Sequence, residues 1–187
     1  MTDLRQRKGI AARALEFTIL TATRSGESRG AEWSEIDLAS KIWTIPAERM
    51  KAGKEHRIPL SESVCKLLES TLRVSGTGSR YVFPSLKGST LSDMTLTAVL
   101  RRMERNDITV HGFRSSFRDW AAETTAFPRE VIEHAMSHQL KDKAEAAYQR
   151  GDLLIKRAKL MEAWAAYCEH SSGMAEVTHI NVKNAQV

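Results

Sequence analysis

The sequence predicts a mainly α-helical fold with one small antiparallel β-sheet, an α+β arrangement. Three observations lead there. Apolar residues recur at helical spacing through most of the chain. Two neighbouring runs, Ile42-Trp43-Thr44-Ile45 and His56-Arg57-Ile58-Pro59-Leu60, alternate in a strand-like way around a polar turn. The chain has 187 residues, 42% hydrophobic and 27% charged. That suits a single domain with a real core, built without disulfides or metal.

Residues 10–22 are rich in helix formers, with Ile10, Ala14, Phe17 and Leu20 on one side. Ser25-Gly26 breaks this helix. Glu27 to Trp33 suits a short second helix that stops near Asp37. The two strands then form a hairpin whose turn runs from Pro46 to Glu55, with Gly53 near its tip. Ser61 is placed to cap a helix over 62–73, with Val64, Leu67, Leu68 and Leu72 at helical spacing. Ser75 to Ser79 reads as a flexible loop, and Tyr81-Val82-Phe83-Pro84 as a short strand ended by proline. Helices follow over 91–105, 112–125, 128–136 and 141–148, with Pro128 suited to a first helical position. Asp152 caps a last helix to about His170, with Leu153, Leu154, Leu160, Met161, Trp164 and Tyr167 as an apolar stripe. Residues 1–170 make the domain; 171–187 read as a flexible tail.

Composition narrows the function classes. Cys65 and Cys168 are too few and too far apart for a disulfide framework or a zinc site. No signal peptide opens the chain, and no apolar run reaches the roughly 18 residues a membrane span needs. The expectation is a cytoplasmic protein with no membrane partner. The formal charge of +5 permits a nucleic-acid partner without establishing one.

Four stretches could carry chemistry, and each has an ordinary alternative. In His111-Gly-Phe-Arg114 the two polar side chains lie three apart on one helical turn, near a helix start that favours anions. Arginine offers a planar fork of donors, and histidine can move a proton near neutral pH. The alternative is a solvated helix start. In Arg24-Ser-Gly-Glu27, an arginine follows a buried helix and Glu27 could pin it; the alternative is a surface ion pair of little value. Arg49-Met-Lys51-Ala-Gly-Lys54 puts lysines on a turn that could reach a cleft, or simply stay wet. His138 is followed ten residues later by Tyr148, flanked by alanines that leave its ring open. A phenol can act as a nucleophile, or pack half-buried with a wet hydroxyl.

Order decides what single motifs do not. Arg, then Lys in a β-hairpin, then His-x-x-Arg, then His, then Tyr in Ala-Tyr-x-Arg resembles the tyrosine recombinases, and more closely the catalytic domain of a prophage-type integrase. The likeness runs from about Ala11 to about Cys168. Its most specific segments are Thr23 to Asp37 and His111 to Arg114.

That resemblance implies a tyrosine recombinase catalytic-domain fold and site-specific DNA recombination, as in prophage integration or excision. Tyr148 would attack the scissile phosphodiester, forming a 3′-phosphotyrosyl link and releasing a 5′-hydroxyl. Arg24 and Arg114 would clamp the non-bridging oxygens, and His138 would add a hydrogen bond. Lys51 would protonate the leaving 5′-oxygen, and His111 would assist proton transfer. Glu27 would support the site from behind. Arg24, Lys51, Arg114 and Lys54 would contact DNA. The family lysine comes early in its turn, which selects Lys51 over Lys54 for the acid. The division of labour makes physical sense. Enzymes lower such barriers by about 8–23 kcal/mol, and preorganised positive donors are the natural source. A general acid adds about 10²–10⁴-fold, and lysine suits it because its pKa shifts readily.

The resemblance also implies no metal and no other cofactor. Double-stranded attachment-site DNA would be the partner, with a homotetramer on DNA and a monomer alone. Ser137 precedes His138 where the family has a small residue, and the usual Asn after that histidine has no clear counterpart. The family's N-terminal arm-binding and core-binding domains have no counterpart ahead of Met1, so the chain reads as the catalytic half. The final helix is expected either to pack in cis or to exchange with a neighbouring protomer. The alternatives are a non-catalytic DNA-binding remnant of an integrase and a topoisomerase IB-like relaxing enzyme.

Overall fold

The structure is a computed structural model that describes residues 1–75, 78–138 and 151–170. The expected helix over 141–148, Tyr148, the 171–187 tail and part of the Ser75–Ser79 loop lie outside the described residues.

Helix α1 (Thr2–Gln6) was not expected from periodicity; Leu4 alone anchors it in the core. α2 (Ile10–Thr21) packs against α1, α3 (Ser25–Arg29), α4 (Glu62–Ser75), α5 (Thr95–Arg102), α6 (Val110–Thr124) and the last helix, α8 (Leu154–His170). A helix surrounded this way must be apolar on nearly every side. Ala14, Leu15, Phe17, Leu20 and Ala22 are all buried. The Phe17 ring meets Trp43 at 4.9 Å and Phe83 at 5.2 Å, so sheet and loop close on α2 through one aromatic knot.

The sheet has three antiparallel strands in the order β1 (Ile36–Asp37), β2 (Ile42–Ile45), β3 (His56–Pro59). Ile45 pairs with His56 and Trp43 with Ile58, and all four are buried. With a side-chain period of two, they share the core face. One of the four, His56, is polar. Between β2 and β3 lie a 3₁₀ turn over Ala47–Arg49 and Gly53 at φ +61°, which supplies the left-handed residue the turn needs.

Several boundaries differ from the sequence expectation for local reasons. α3 begins at Ser25 rather than Glu27, because the Glu27 carboxylate reaches back to the Arg24 N–H at 2.8 Å and caps the helix there. A 3₁₀ turn over Trp33–Glu35 replaces its expected end. Tyr81 makes one isolated antiparallel bridge, to Glu32, instead of a strand. α5 is shorter than expected and stops before Glu104, which sits at φ +59°. α7 (Arg129–Ala135) has Pro128 at its N-cap, one residue outside the first helical position.

α8 lies in cis on its own domain, against α2, α6, α7 and β3. The Trp164 indole N–H donates to the Ile19 carbonyl at 2.8 Å. Its buried stripe is Arg157, Leu160, Met161, Trp164, Ala165 and Cys168. Tyr167 falls a step off that stripe and stacks on Trp120 and Trp164 with one side wet. Among the described residues no helix is long and apolar enough to cross a membrane.

Candidate active site

Arg24 stands at the junction of α2 and α3. Buried hydroxyls brace that junction: Thr21 to Thr23 at 2.9 Å and Thr23 to Ser28 at 2.6 Å. Glu27 is buried and binds Arg24 twice. One carboxylate oxygen accepts the Arg24 main-chain N–H and the other accepts its Nη1, both at 2.8 Å. The Arg24 side chain keeps 30% exposure, so it is held from one side and open on the other.

The hairpin turn contributes an arginine that the sequence reading passed over. Arg49 Nη2 donates to the Glu27 carbonyl at 2.6 Å, and Nη1 binds the Glu35 carboxylate. The Trp43 indole donates to that carboxylate at 2.9 Å. A Cβ at Gly30 would stand 2.9 Å from Arg49 Nη2, so a larger residue there would push the guanidinium aside. Arg49 therefore fastens the hairpin base to the back of α3. Lys51 and Lys54 both stand exposed on the same turn beyond it, so either is sterically free to meet a ligand.

α6 starts cleanly, with the Thr109 hydroxyl accepting the Gly112 N–H at 3.0 Å. His111 and Arg114 sit one turn apart on it, yet their environments differ. His111 is exposed, whereas Arg114 is buried. Arg114 Nη1 donates to the Ala22 carbonyl at 2.6 Å, and Nη2 donates to the Met136 carbonyl. Ala22 is the left-handed residue ending α2, at φ 52°, two residues before Arg24. Met136 lies two residues before His138. One guanidinium thus bridges the two loops that present Arg24 and His138.

His138 is oriented from behind. Its Nδ1 lies 2.6 Å from Glu133 Oε2, and Arg118 Nε donates to the other carboxylate oxygen at 3.1 Å. A carboxylate only accepts, so Nδ1 carries the hydrogen and Nε2 is left for another partner. The turn that swings His138 into place has Ser137 at φ 50°. Ser137 can adopt this conformation, which favours small or polar side chains.

The electrostatics place these groups in one field. Burial pushes the Arg114 guanidinium down to about 10, and the Arg24 charge pushes the same way, while Glu27 and Glu133 oppose. Arg114 stays cationic at neutral pH. Burial would raise the Glu133 carboxyl, but hydrogen bonds from His138 and Arg118 outweigh it and hold it below its usual range. The site is two like charges brought close, with carboxylates behind them. Such a place attracts an anion with two or more accepting oxygens.

Of the sequence-predicted residues, Arg24, Glu27, Arg114 and His138 are brought together. Lys51, Lys54 and His111 stand on exposed surfaces, and Tyr148 lies outside the described residues. Glu133, Arg118 and Arg49 were missed; the sole sequence signal for Glu133 is its place on the helix just before His138. Among the described residues, no group of three or more His, Cys, Asp or Glu is placed to hold a metal. A groove of about 1680 Å³, bordered by Leu4, Ile10, Arg13, Lys66 and Leu86, contains none of the candidate site residues. The groove carries cations too, among them Arg5, Arg13 and Lys66, but only the cluster around Arg114 ties the Arg24 loop and the His138 turn to one guanidinium, so it is the better candidate for holding a phosphate.

Comparison with known proteins identifies the family and the fold. Residues 4–152 match the phage integrase family. The prophage integrase IntA of Escherichia coli strain K12 is 36% identical over 169 residues, covering 88% of this chain and 40% of that protein. The chain spans about two fifths of the length of its curated relatives. The solved catalytic core of lambda integrase superposes with a TM-score of 0.53 at 20% identity, over 72% of this chain and 82% of that one. A lambda integrase tetramer bound to a Holliday junction gives a TM-score of 0.56 at 18% identity, over 77% of this chain and 44% of that one. The fold is that of a tyrosine recombinase catalytic domain, and the chain belongs to the phage integrase family.

Proposed function

We propose that this chain cleaves and rejoins double-stranded DNA at a specific site through a 3′-phosphotyrosyl intermediate. The observation that carries this is the Arg114 bridge, which ties the Arg24 loop to the His138 turn. A scissile phosphate held there has its non-bridging oxygens facing Arg24, Arg114 and His138, which donates from Nε2 as the imidazolium while Nδ1–H stays on Glu133. Charge that grows on those oxygens in the transition state meets donors already in place.

The Tyr148 phenolic oxygen attacks phosphorus, forming the P–O bond to tyrosine as the P–O bond to the 5′-oxygen breaks. Lys51 gives the leaving 5′-oxygen its proton, and His111 takes part in moving the phenolic proton. Rejoining reverses the step with a new 5′-hydroxyl, so the bond energy is retained and no ATP is needed. Glu27 and Glu133 act through Arg24 and His138 as positioning residues. The lambda integrase assembly on a Holliday junction supports a tetramer on DNA as the working form.

The test is covalent trapping. Suicide attachment-site DNA is incubated with the native chain in its full-length context, and a protein–DNA adduct is sought in denaturing gels. Adduct from the native protein and none from Tyr148→Phe is expected. An adduct from Tyr148→Phe, or none from the native protein, removes this reading. Binding without an adduct favours a DNA-binding remnant, and relaxation of a supercoiled plasmid without a partner site favours topoisomerase-like chemistry. Binding should weaken steeply with salt, because phosphate contacts release counterions.

A further inference from the structure

The turn between β2 and β3 is bonded mostly to itself. Ile45 and His56 are the last paired residues of the two strands, so residues 46–55 have no ladder partner. The backbone bonds of the turn stay local. Arg49 N–H donates to the Pro46 carbonyl and Met50 N–H to the Ala47 carbonyl, both at 3.1 Å, and Gly53 N–H donates to the Met50 carbonyl at 3.0 Å. Among the described residues, every hydrogen bond that leaves this turn is made by the Arg49 guanidinium. Met50 adds an apolar anchor in the core. Lys51 comes next and is exposed.

Arg49 reaches two places at once. Nη2 donates to the Glu27 carbonyl at 2.6 Å, and Nη1 binds the Glu35 carboxylate. The Glu27 carbonyl lies in the last turn of α3, where carbonyls lack an intrahelical partner; the Ala31 N–H goes to the Ser28 carbonyl instead. A basic side chain fills that vacancy well. The Glu35 carboxylate is itself fixed by the buried Trp43 indole on β2, at 2.9 Å. The support runs one way. Arg24 is held by the two Glu27 carboxylate oxygens, and the Thr23–Ser28 hydroxyl bond braces the start of α3 at 2.6 Å. None of these bonds uses Arg49. Without Arg49 the Arg24 mount stays bonded, and the turn keeps Met50 as its one anchor.

We infer that Arg49 is a positioning residue for Lys51: by bonding the Glu27 carbonyl and the Glu35 carboxylate at once, it fixes the turn that carries the acid against the helix that begins at Arg24. The inference rests on the proposed cleavage chemistry, with Lys51 as the acid. Arg49 gives no proton itself; it sets the base from which Lys51, two residues on, reaches the leaving 5′-oxygen. The flexible lysine stem supplies reach rather than direction. A misplacement of about 1 Å can cost about 10²-fold in rate, so the base matters. The two bonds also need the planar fork of arginine, because a lysine ammonium is a point donor.

The test is a leaving-group comparison in the full-length protein, as single-turnover rates on saturating suicide attachment-site DNA. Sulfur in place of the scissile 5′-oxygen leaves as a thiolate, which needs no proton because a thiol is a far stronger acid than an alcohol. Loss of the acid is then forgiven, and loss of a phosphate clamp is not. Arg49→Lys should slow adduct formation about tenfold or more on ordinary DNA and less than about threefold on the sulfur-bridged DNA, as should Lys51→Ala. Arg24→Ala should slow both. Arg49→Met with Glu35→Gln strands no charge, keeps an amide oxygen for the Trp43 indole, and should repeat the Arg49→Lys pattern. Equal slowing on the two DNAs overturns the inference, as do native rates in both Arg49 variants on ordinary DNA. Lys51→Ala that slows both DNAs equally removes Lys51 as the acid, and the inference falls with it. Hydrogen exchange without DNA is the second readout. Arg49→Lys should speed exchange severalfold at the Met50 and Gly53 amides and leave α2 unchanged; native exchange at the turn also overturns the inference. If the native protein forms no adduct, the cleavage reading fails, and the exchange comparison still decides whether Arg49 holds the turn.

Discussion

Glu133 Oε2 lies 2.6 Å from His138 Nδ1, across the turn that ends α7. Five residues separate them, and the helix end together with the left-handed Ser137 folds them face to face. The contact decides which imidazole nitrogen can face a phosphate. Removing His138 with His138→Ala should slow adduct formation by roughly 10²–10³-fold, as for loss of one preorganised donor. Glu133→Gln should slow it less, because an amide oxygen still accepts, though more weakly than a carboxylate. Single-turnover rates at saturating DNA check both, and a Glu133→Gln loss equal to that of His138→Ala would give Glu133 a direct role.

The same carboxylate predicts an acid-side stability loss. Its folded-state value lies below the ordinary 4.5. It therefore stabilises the fold above that pH, and the contribution fades as pH falls below it. Glu133→Gln should melt lower than the native protein at pH 7, and the two should converge toward pH 3. A gap that stays constant from pH 7 to pH 3 would contradict the ionic origin.

Arg114 should not tolerate lysine. It reaches the Ala22 and Met136 carbonyls at once. A lysine ammonium is a point donor on a flexible stem and cannot span both. One buried carbonyl is left unpaired, at about 1–3 kcal/mol. Arg114→Lys should lower the urea midpoint and also cut adduct formation, since the Arg24 and His138 loops lose their common tie. A variant as stable and as active as the native protein would show that charge alone suffices.

Arg24 and Arg114 repel each other through the field that lowers the Arg114 value. An anion between them relieves that repulsion. Inorganic phosphate at about ten times its dissociation constant should stabilise the folded chain by about 1.4 kcal/mol. Thermal melts with phosphate against chloride at equal ionic strength measure this, and Arg24→Ala should abolish the phosphate-specific part.

His56 gives a second pH signature with its own window. Burial pushes its imidazole down to about 3, with the Arg157 charge adding to the effect. The unfolded chain binds a proton near pH 6.5 that the folded chain refuses. Stability from this group is full above about pH 6.5 and is lost progressively as pH drops toward about 3, at up to about 1.4 kcal/mol per pH unit. His56→Gln should flatten that part of the denaturation profile relative to the native protein. Parallel profiles would mean that His56 is protonated in the folded chain.

Much of the fold was legible locally. Ile10–Thr21 is a helix because its apolar residues repeat at that period, and Ile42–Ile45 and His56–Pro59 alternate as half-buried strands. The order Arg24, Lys51, His111, Arg114, His138, Tyr148 pointed to a family, and Arg24 with Glu27 could be read as a pair from their spacing. The strand run that opens at His56 was legible, but nothing local said that His56 would be buried. Glu133 and Arg49 resembled ordinary charged residues of a helix and a turn.

The sequence by itself determined helix, strand and the types of side chain available to a phosphate, because those depend on neighbours within a few residues. The tertiary structure alone decided that Arg114 is buried while His111, one turn away, is exposed. It also decided that Arg114 meets Ala22 across 92 residues, and that Asp152 meets Arg57 across 95. Such bonds form only when distant elements close on one core. A buried donor then takes whichever carbonyl the packing brings within reach, and no periodicity along the chain encodes that choice.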